Sequence, residues 1–185
     1  MFNKFFIFLF IFIYSFSNLY GDERQLIINR FIGINNITFD FEQITNKKKE
    51  IGTCILSFNN KLSCDYQDSM QKRILINGKT LVIQQKRYNK ISLYPISNSP
   101  FIKIFNKNNL VNLINNSKYQ LNGNITLTYV DNNKEKIIIF FDKDNYNLIG
   151  WRVVDKLQNI INFSINTKYI NSEINPKIFK IPSID

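Results

Sequence analysis

Three patterns of apolar residues follow one another along this chain. The first is continuous: Phe5 to Phe16 is apolar apart from the hydroxyls of Tyr14 and Ser15, behind the positive charge of Lys4 and ahead of small residues at Ser15, Ser17 and Gly21. A spanning helix needs roughly 20 apolar residues, whereas the apolar part of an export signal needs about 7–15. The pattern predicts a signal peptide over residues 1–21 and a single exported domain over 22–185; a membrane anchor or a buried helix is the alternative. No cysteine follows the run to carry a lipid anchor.

The second pattern is helical and short. Leu26, Ile27, Arg30 and Phe31 recur near 3.6-residue spacing behind the acids Asp22 and Glu23, and Gly33 ends the run. The third has a period of two. It predicts strands from Ile37 to Ile44, Ile51 to Phe58, Lys61 to Tyr66, Lys72 to Asn77, Thr80 to Arg87 and Lys90 to Ile96. They resume at Tyr119 to Leu121, Ile125 to Val130, Lys136 to Asp142, Leu148 to Asp155 and Ile160 to Tyr169, with a last piece from Ile178 to Ile181. Turns of Asn, Gly and Lys separate them. Connections this short cannot hold crossover helices, so the strands form an antiparallel meander.

One interruption breaks the meander, at residues 98–116. Ser99 can cap a helix with Pro100 at its first position, and Phe101, Ile104 and Phe105, then Leu110, Leu113 and Ile114, recur at i, i+3 and i+4. The fold class is therefore mainly β: a single curved, incompletely closed antiparallel half-barrel covered by short lid helices. A sheet of so many strands curls and encloses a volume. The helices either fill that volume as an ordinary core or cover a cavity that holds an apolar guest, and aromatic residues at 15% of the chain suit both.

Composition removes more functions than it adds. The chain has no histidine, which excludes Ser–His and Cys–His catalytic pairs, an imidazole base and a histidine metal site. Asp65 with Asp68, and Asp142 with Asp144, read as turn residues rather than acid–base pairs. No catalysis, metal or cofactor is expected. The formal charge of +10 fits an anionic partner, but the lysines are scattered, and Lys47-Lys48-Lys49 reads as a solvated hairpin tip. Export disfavours nucleic acid as the partner. Cys54 and Cys64 lie on two arms of one hairpin with matching parity; in a register that sets them opposite each other they share a face, either as a disulfide or as two small buried thiols.

Several stretches, in order, carry a resemblance. They are Phe39-Asp40-Phe41-Glu42-Gln43, Gly52-Thr53-Cys54-Ile55-Leu56, Asn77-Gly78-Lys79-Thr80-Leu81, Asn98-Ser99-Pro100-Phe101 and Phe179-Lys180-Ile181-Pro182. Through them the mature chain resembles the periplasmic outer-membrane lipoprotein carrier family (LolA), with Phe179 to Pro182 similar to its closing strand. The resemblance implies a monomeric periplasmic carrier that encloses the acyl chains of lipoproteins. Its implied partners are an inner-membrane lipoprotein-releasing ABC transporter that hands cargo over and an outer-membrane receptor that takes it. A lipid-binding or surface-acting regulatory module of the same fold is the alternative.

On that reading the acyl-chain cavity is lined by alternate strand positions: Phe39 and Phe41, Leu56 and Phe58, Ile74 and Ile76, Leu81 and Ile83, Ile91 and Leu93, Ile137, Ile139 and Phe141, and Ile149, Trp151 and Val153. The lid carries Phe101, Ile104, Phe105, Leu110, Leu113 and Ile114. Two positions depart from the family. Phe58-Asn59 stands where members carry an Arg-Pro whose arginine holds the lid shut, and Cys64 stands where they carry a Trp. A lid lock of another kind, such as Phe58 packing on Phe101 or Phe105, or a weaker one is expected.

Overall fold

The computed structural model describes residues 23–58, 60–98, 104, 106–132, 134–154 and 157–182. The expected signal peptide, the helix cap at Ser99-Pro100 and the lid residues Phe101 and Phe105 lie outside them. Helix α1 spans Glu23–Ile32 and is followed by six strands: β1 (Asn36–Thr45), β2 (Lys48–Ser57), β3 (Lys61–Tyr66), β4 (Lys72–Asn77), β5 (Thr80–Gln85) and β6 (Lys90–Pro95). Helix α2 spans Lys107–Asn115. Five strands complete the chain: β7 (Lys118–Asn122), β8 (Asn124–Val130), β9 (Lys136–Phe141), β10 (Leu148–Val154) and β11 (Ile160–Ile170).

All eleven strands join one antiparallel sheet in the order β6-β5-β4-β3-β2-β1-β11-β10-β9-β8-β7. It is an open barrel, as the alternation predicts. Asparagine tolerates the left-handed backbone, and Asn46, Asn60 and Asn89 sit at positive φ in three of the turns between strands, as does Asn171 just after β11. The return of β11 beside β1 is the long-range step, pairing Ile37 with Ile170 and Thr45 with Ile161.

That order has a consequence for the middle of the chain. The segment between β6 and β7 must run from one edge of the sheet to the other, and it carries α2 across the concave face. Leu110, Leu113 and Ile114 of α2, Ile104 ahead of it, and Ile27, Ile28 and Phe31 of α1 are all buried in the same core as the inner strand residues. Phe31 meets Phe58 and Phe141 edge-on at 5.5 and 5.8 Å between ring centres. Together these helices plug the side of the half-barrel made by β7 to β10.

The convex face has its own cover. The last segment does not form the expected strand at Ile178 to Ile181, nor the family-like closing strand; Pro176–Phe179 is a 3₁₀ turn. Pro176 fixes its first φ, and it lies across the outside of β3 and β4, where Arg73 donates to the Ile178 carbonyl at 2.7 Å and Asn77 to that of Phe179 at 3.1 Å. A side-chain bond thus replaces ladder bonds. Beneath this strap Leu75 and Val82 are buried although they point away from the main core.

Candidate functional site

On the other side of the half-barrel the helices leave room. Between the wall made by β3, β4 and β5 and the floor made by β1, β10 and β11 is an apolar cavity of about 200 Å³. Ile74, Ile76, Leu81 and Ile83 form one wall; Phe39, Trp151 and Phe163 face them. No described residue of α1 or α2 lines it. Ile74, Leu81 and Ile83 are only half-buried, whereas Ile125, Leu127, Ile137 and Ile139 on the plugged side are completely buried.

Register explains the wall. Leu62 pairs with Ile76 and Ile76 with Leu81, while Cys64 pairs with Ile74 and Ile74 with Ile83, so two rows of side chains run inward across three strands. Cys54 stands opposite Cys64, and the two are joined by a disulfide across ten residues of chain. Sequence alone leaves disulfide and thiols open; pairing side by side on one face brings the sulfurs together. Closing so short a loop contributes about 3 kcal/mol in the chain-entropy account. The bridge also lines the cavity.

An aromatic row crosses the floor. Tyr66 meets Phe41 edge-on at 4.8 Å, Phe41 stacks on Phe163 at 4.8 Å, and Phe163 stacks on Trp151 at 4.4 Å. Gly52 makes this possible. It pairs with Phe41 across β1 and β2, and a Cβ there would lie 2.7 Å from the Phe41 ring and 2.3 Å from the Asp65 carbonyl.

At the ends of the strands the lining turns polar. Gln43, Tyr66 and Lys72 all line the cavity there. The Tyr66 hydroxyl donates to Gln43 Oε1 at 2.9 Å. Burial pushes its phenol up, with the charges of Glu50 and Asp68 adding to the effect, so it stays a donor. Lys72 Nζ donates to Glu50 Oε1 at 2.7 Å and lies 3.8 Å from the centre of the Tyr66 ring. Burial raises the Glu50 carboxyl, but the hydrogen bonds from Lys72 and Lys48 outweigh it and hold the group below its ordinary value.

The expected lining residues divide into three groups. Phe39, Ile74, Ile76, Leu81, Ile83 and Trp151 surround the cavity. Phe41, Leu56, Phe58, Ile137, Ile139, Phe141 and Val153 face inward but belong to the packed core. Three are placed elsewhere. Ile91 pairs with Gln84 and Leu93 with Val82, and those partners lie on the convex face, so Ser92 and Tyr94 take the inward positions of β6. Ile149 falls at a register shift in β10, where Leu148 takes the inward place opposite Phe141. A bulge of one residue moves a side chain to the other face.

Sequence reading missed Gln43, Leu62, Tyr66, Lys72, Ile161 and Phe163 as lining. The alternation Leu62, Cys64, Tyr66 was visible; what was not visible was that β11 returns beside β1 and delivers Ile161 and Phe163. The expected packing of Phe58 on Phe101 or Phe105 falls on partners outside the described residues. Phe58 packs on Phe31 of α1, and the N-cap residue of α2, Asn106, donates from Nδ2 to Asn60 Oδ1 in the turn between β2 and β3, at 3.1 Å. Lys107 adds a bond from its ammonium to the Ile32 carbonyl at 2.8 Å. Neutral amides and a lysine thus tie α2 to the sheet and to α1.

The carboxylate pairs set aside as turn residues remain so placed in part. Asp68 accepts from the Lys72 amide, and Asp142 from the amides of Asp144 and Asn145. Asp65 instead lies within β3, paired with Thr53 and Arg73, with Lys86 2.6 Å from it. Among the described residues no three of Asp, Glu, Cys or His stand close enough to hold a metal ion, and no helix is long and apolar enough to cross a membrane.

A half-open curved sheet with an apolar interior and helices laid over it defines a container fold. The family model of the outer membrane lipoprotein carrier protein LolA matches residues 33–182, and the chain belongs to that family. No curated protein matches it in sequence. Among solved structures it resembles an uncharacterized conserved protein from Thermus thermophilus, at 7% identity and TM-score 0.52, over 85% of this chain and 93% of that one. It also resembles MucB, at 10% identity and TM-score 0.53, over 87% of this chain and 63% of MucB. The MucA/MucB complex of Pseudomonas aeruginosa is similar at 9% identity and TM-score 0.51, over 86% of this chain and 61% of that one. At these identities the likeness concerns the fold.

Proposed function

We propose that this protein is a non-enzymatic periplasmic carrier that encloses acyl chains of lipoproteins and takes them from the inner to the outer membrane. Membership of the lipoprotein carrier family supports the reading, and the observation that carries it is the apolar cavity between the β3 to β5 wall and the Phe39, Phe163 and Trp151 floor. Each buried methylene contributes about 0.8 kcal/mol, so a C16 chain in water is unfavourable by on the order of 12 kcal/mol. Such cargo does not diffuse free. It passes between apolar mouths, from a lipoprotein-releasing ABC transporter to an outer-membrane receptor, while the carrier trades its own packing for packing around the guest.

Size defines what the carrier must do to load. An apolar cavity of about 150 Å³ takes up benzene, so about 200 Å³ accommodates on the order of eight carbons. Longer chains need the helices to give way, and the Asn106 to Asn60 and Lys107 to Ile32 bonds are the polar ties that yield. Incubating the purified protein with inner-membrane vesicles that contain acylated lipoprotein tests the reading: soluble complexes of carrier and lipoprotein are expected. Failure to bind either lipoprotein or any alkyl probe would refute it.

A second reading, a regulatory module that acts through its surface, draws on the similarly folded MucB, which is seen in complex with MucA. The two open edges of the sheet carry exposed Leu93 and Tyr94 on β6 and Leu121 on β7, which suit a protein partner. Retained binding of a partner by protein whose cavity has been filled by mutation would favour this reading.

A further inference from the structure

We propose that this protein docks on the surface of an anionic lipid bilayer through the turns around the mouth of its cavity, three of which carry an exposed apolar tip. The inference rests on the reading that the cavity takes acyl chains. It adds where the carrier stands when it exchanges them.

The cavity reaches solvent at one end of the sheet. Gln43, Tyr66 and Lys72, its polar lining, stand where β1 and β3 finish and β4 begins, and Lys72 also lines a groove on the surface there. Antiparallel order brings five turns to that end: those between β1 and β2, β3 and β4, β5 and β6, β8 and β9, and β10 and β11. Three of them expose a large apolar side chain, Met70 at 42%, Tyr88 at 60% and Leu157 at 76%. The turns of the opposite end differ. Asn60, Gly78-Lys79, Gly123, residues 142–147 and Asn171 expose no large apolar side chain among the described residues. Solvated turns suffice there, so apolar tips at the mouth are not a requirement of the fold.

Position ties the tips to the mouth. The Arg87 and Lys86 amides donate to the Met70 and Gln71 carbonyls at 3.3 and 3.4 Å, which joins the turns of Met70 and Tyr88 above the β3 to β5 wall. Leu157 stands across the opening, in the turn above β10 and β11, the strands that supply Trp151, Ile161 and Phe163 to the cavity.

Charge indicates what the tips enter. The acids of this end are matched in number by cations. Lys49 reaches Glu42 and Lys86 reaches Asp65, each at 2.6 Å, and Lys48 and Lys72 stand against Glu50 and Asp68. Lys134 and Lys136 offset Asp131 and Glu135, Lys156 follows Asp155 in sequence, and Arg24 and Lys118 offset Asp22 and Glu23. Arg73 is turned to the strap on the convex face. Lys47, Arg87 and Lys90 remain, all exposed, with Tyr88 between the last two. Separate apolar tips with cations between them suit a lipid headgroup layer, where tyrosine is favoured and lysine and arginine meet anionic lipid. A protein interface instead centres on a contiguous apolar core from which charge is depleted. The chains that the cavity takes reside in such a bilayer, and docking turns the mouth toward it, where a transporter or a receptor also works.

Flotation of the purified mature protein with protein-free vesicles tests this. Vesicles of about three parts phosphatidylcholine to about one part phosphatidylglycerol should bind it at least about tenfold more strongly than phosphatidylcholine alone, and added salt should release it. Met70→Ser with Tyr88→Ser and Leu157→Ser should weaken binding at least about tenfold, as should Lys47→Gln with Arg87→Gln and Lys90→Gln. Leu121→Ser with Tyr169→Ser, exposed positions toward the opposite end, should change it less than about twofold. Equal binding by the unmodified protein and the three-serine variant, or equal binding to neutral and anionic vesicles, would overturn the proposal. Capture by native membranes but not by protein-free vesicles would also overturn it in favour of a protein receptor, and loss of a dimer instead of vesicle binding in the three-serine variant would make this end a contact between copies. Decanol binding, measured on the same samples, should be unchanged in every variant. No decanol binding with docking intact would overturn the carrier reading alone.

Discussion

The two sides of this half-barrel are built from the same kind of strand and end in different states. On the side of β7 to β10, Ile125, Leu127, Ile137 and Ile139 are sealed beneath Leu110, Leu113 and Ile114 of α2 and Phe31 of α1. On the side of β3 to β5, Ile74, Leu81 and Ile83 are as apolar and point inward in the same way, yet they stay half-buried around a cavity. The strands are not what differs. The described helices fill one side and not the other, and the difference teaches that a cavity here is the part of a curved sheet that α1 and α2 do not reach.

Truncation should separate the sides most strongly. Phe31→Ala removes a fully enclosed ring from the plugged side and is expected to cost about 3–5 kcal/mol, whereas Leu81→Ala on the half-buried wall should cost clearly less. Denaturant melts of both variants measure the gap, and equal costs would mean that the two sides are packed alike. Enlargement is the converse test. Ile139→Phe should destabilise by about 1–3 kcal/mol because no space receives the ring, while Ile74→Phe should be near neutral and should block alkyl-probe binding.

A smaller effect is expected at the tie between lid and sheet. Asn60→Gly keeps the left-handed backbone of that turn and removes the acceptor for Asn106; about 1 kcal/mol of local stability should be lost. Native-state hydrogen exchange should then show faster exchange in α2 with β1 and β11 unchanged. Weakest of all should be the response to acid at the mouth. Glu50 is held below its ordinary value of 4.5, so its contribution is complete above pH 4.5 and is lost as pH falls through the lower folded value. Glu50→Gln should flatten that part of the stability profile.

Much of the architecture was readable before any coordinates. Alternation located all eleven strands to within a few residues, because one face of each is apolar and asparagine turns punctuate them. Short connections implied antiparallel pairing, and matching parity set Cys54 and Cys64 on one face. Errors arose where pairing rather than periodicity decides the facing. The turn before β6 sends Ile91 and Leu93 outward, and a register shift replaces Ile149 with Leu148. Pro176 and two side-chain bonds from β4 hold the last segment as a strap, although its residues alternate as a strand would.

What local pattern could establish is the list of inward apolar positions, since hydrophobic alternation is a property of neighbours in sequence. Whether those positions enclose protein or empty space depends on contacts between residues far apart in the chain: β11 beside β1, Phe31 against Phe58 and Phe141, Asn106 on Asn60. The same holds for the mouth, where Gln43, Glu50, Tyr66 and Lys72 come from four strands and none of them announces a site alone. Packing volume is a sum over the whole fold, and only the folded chain carries it out.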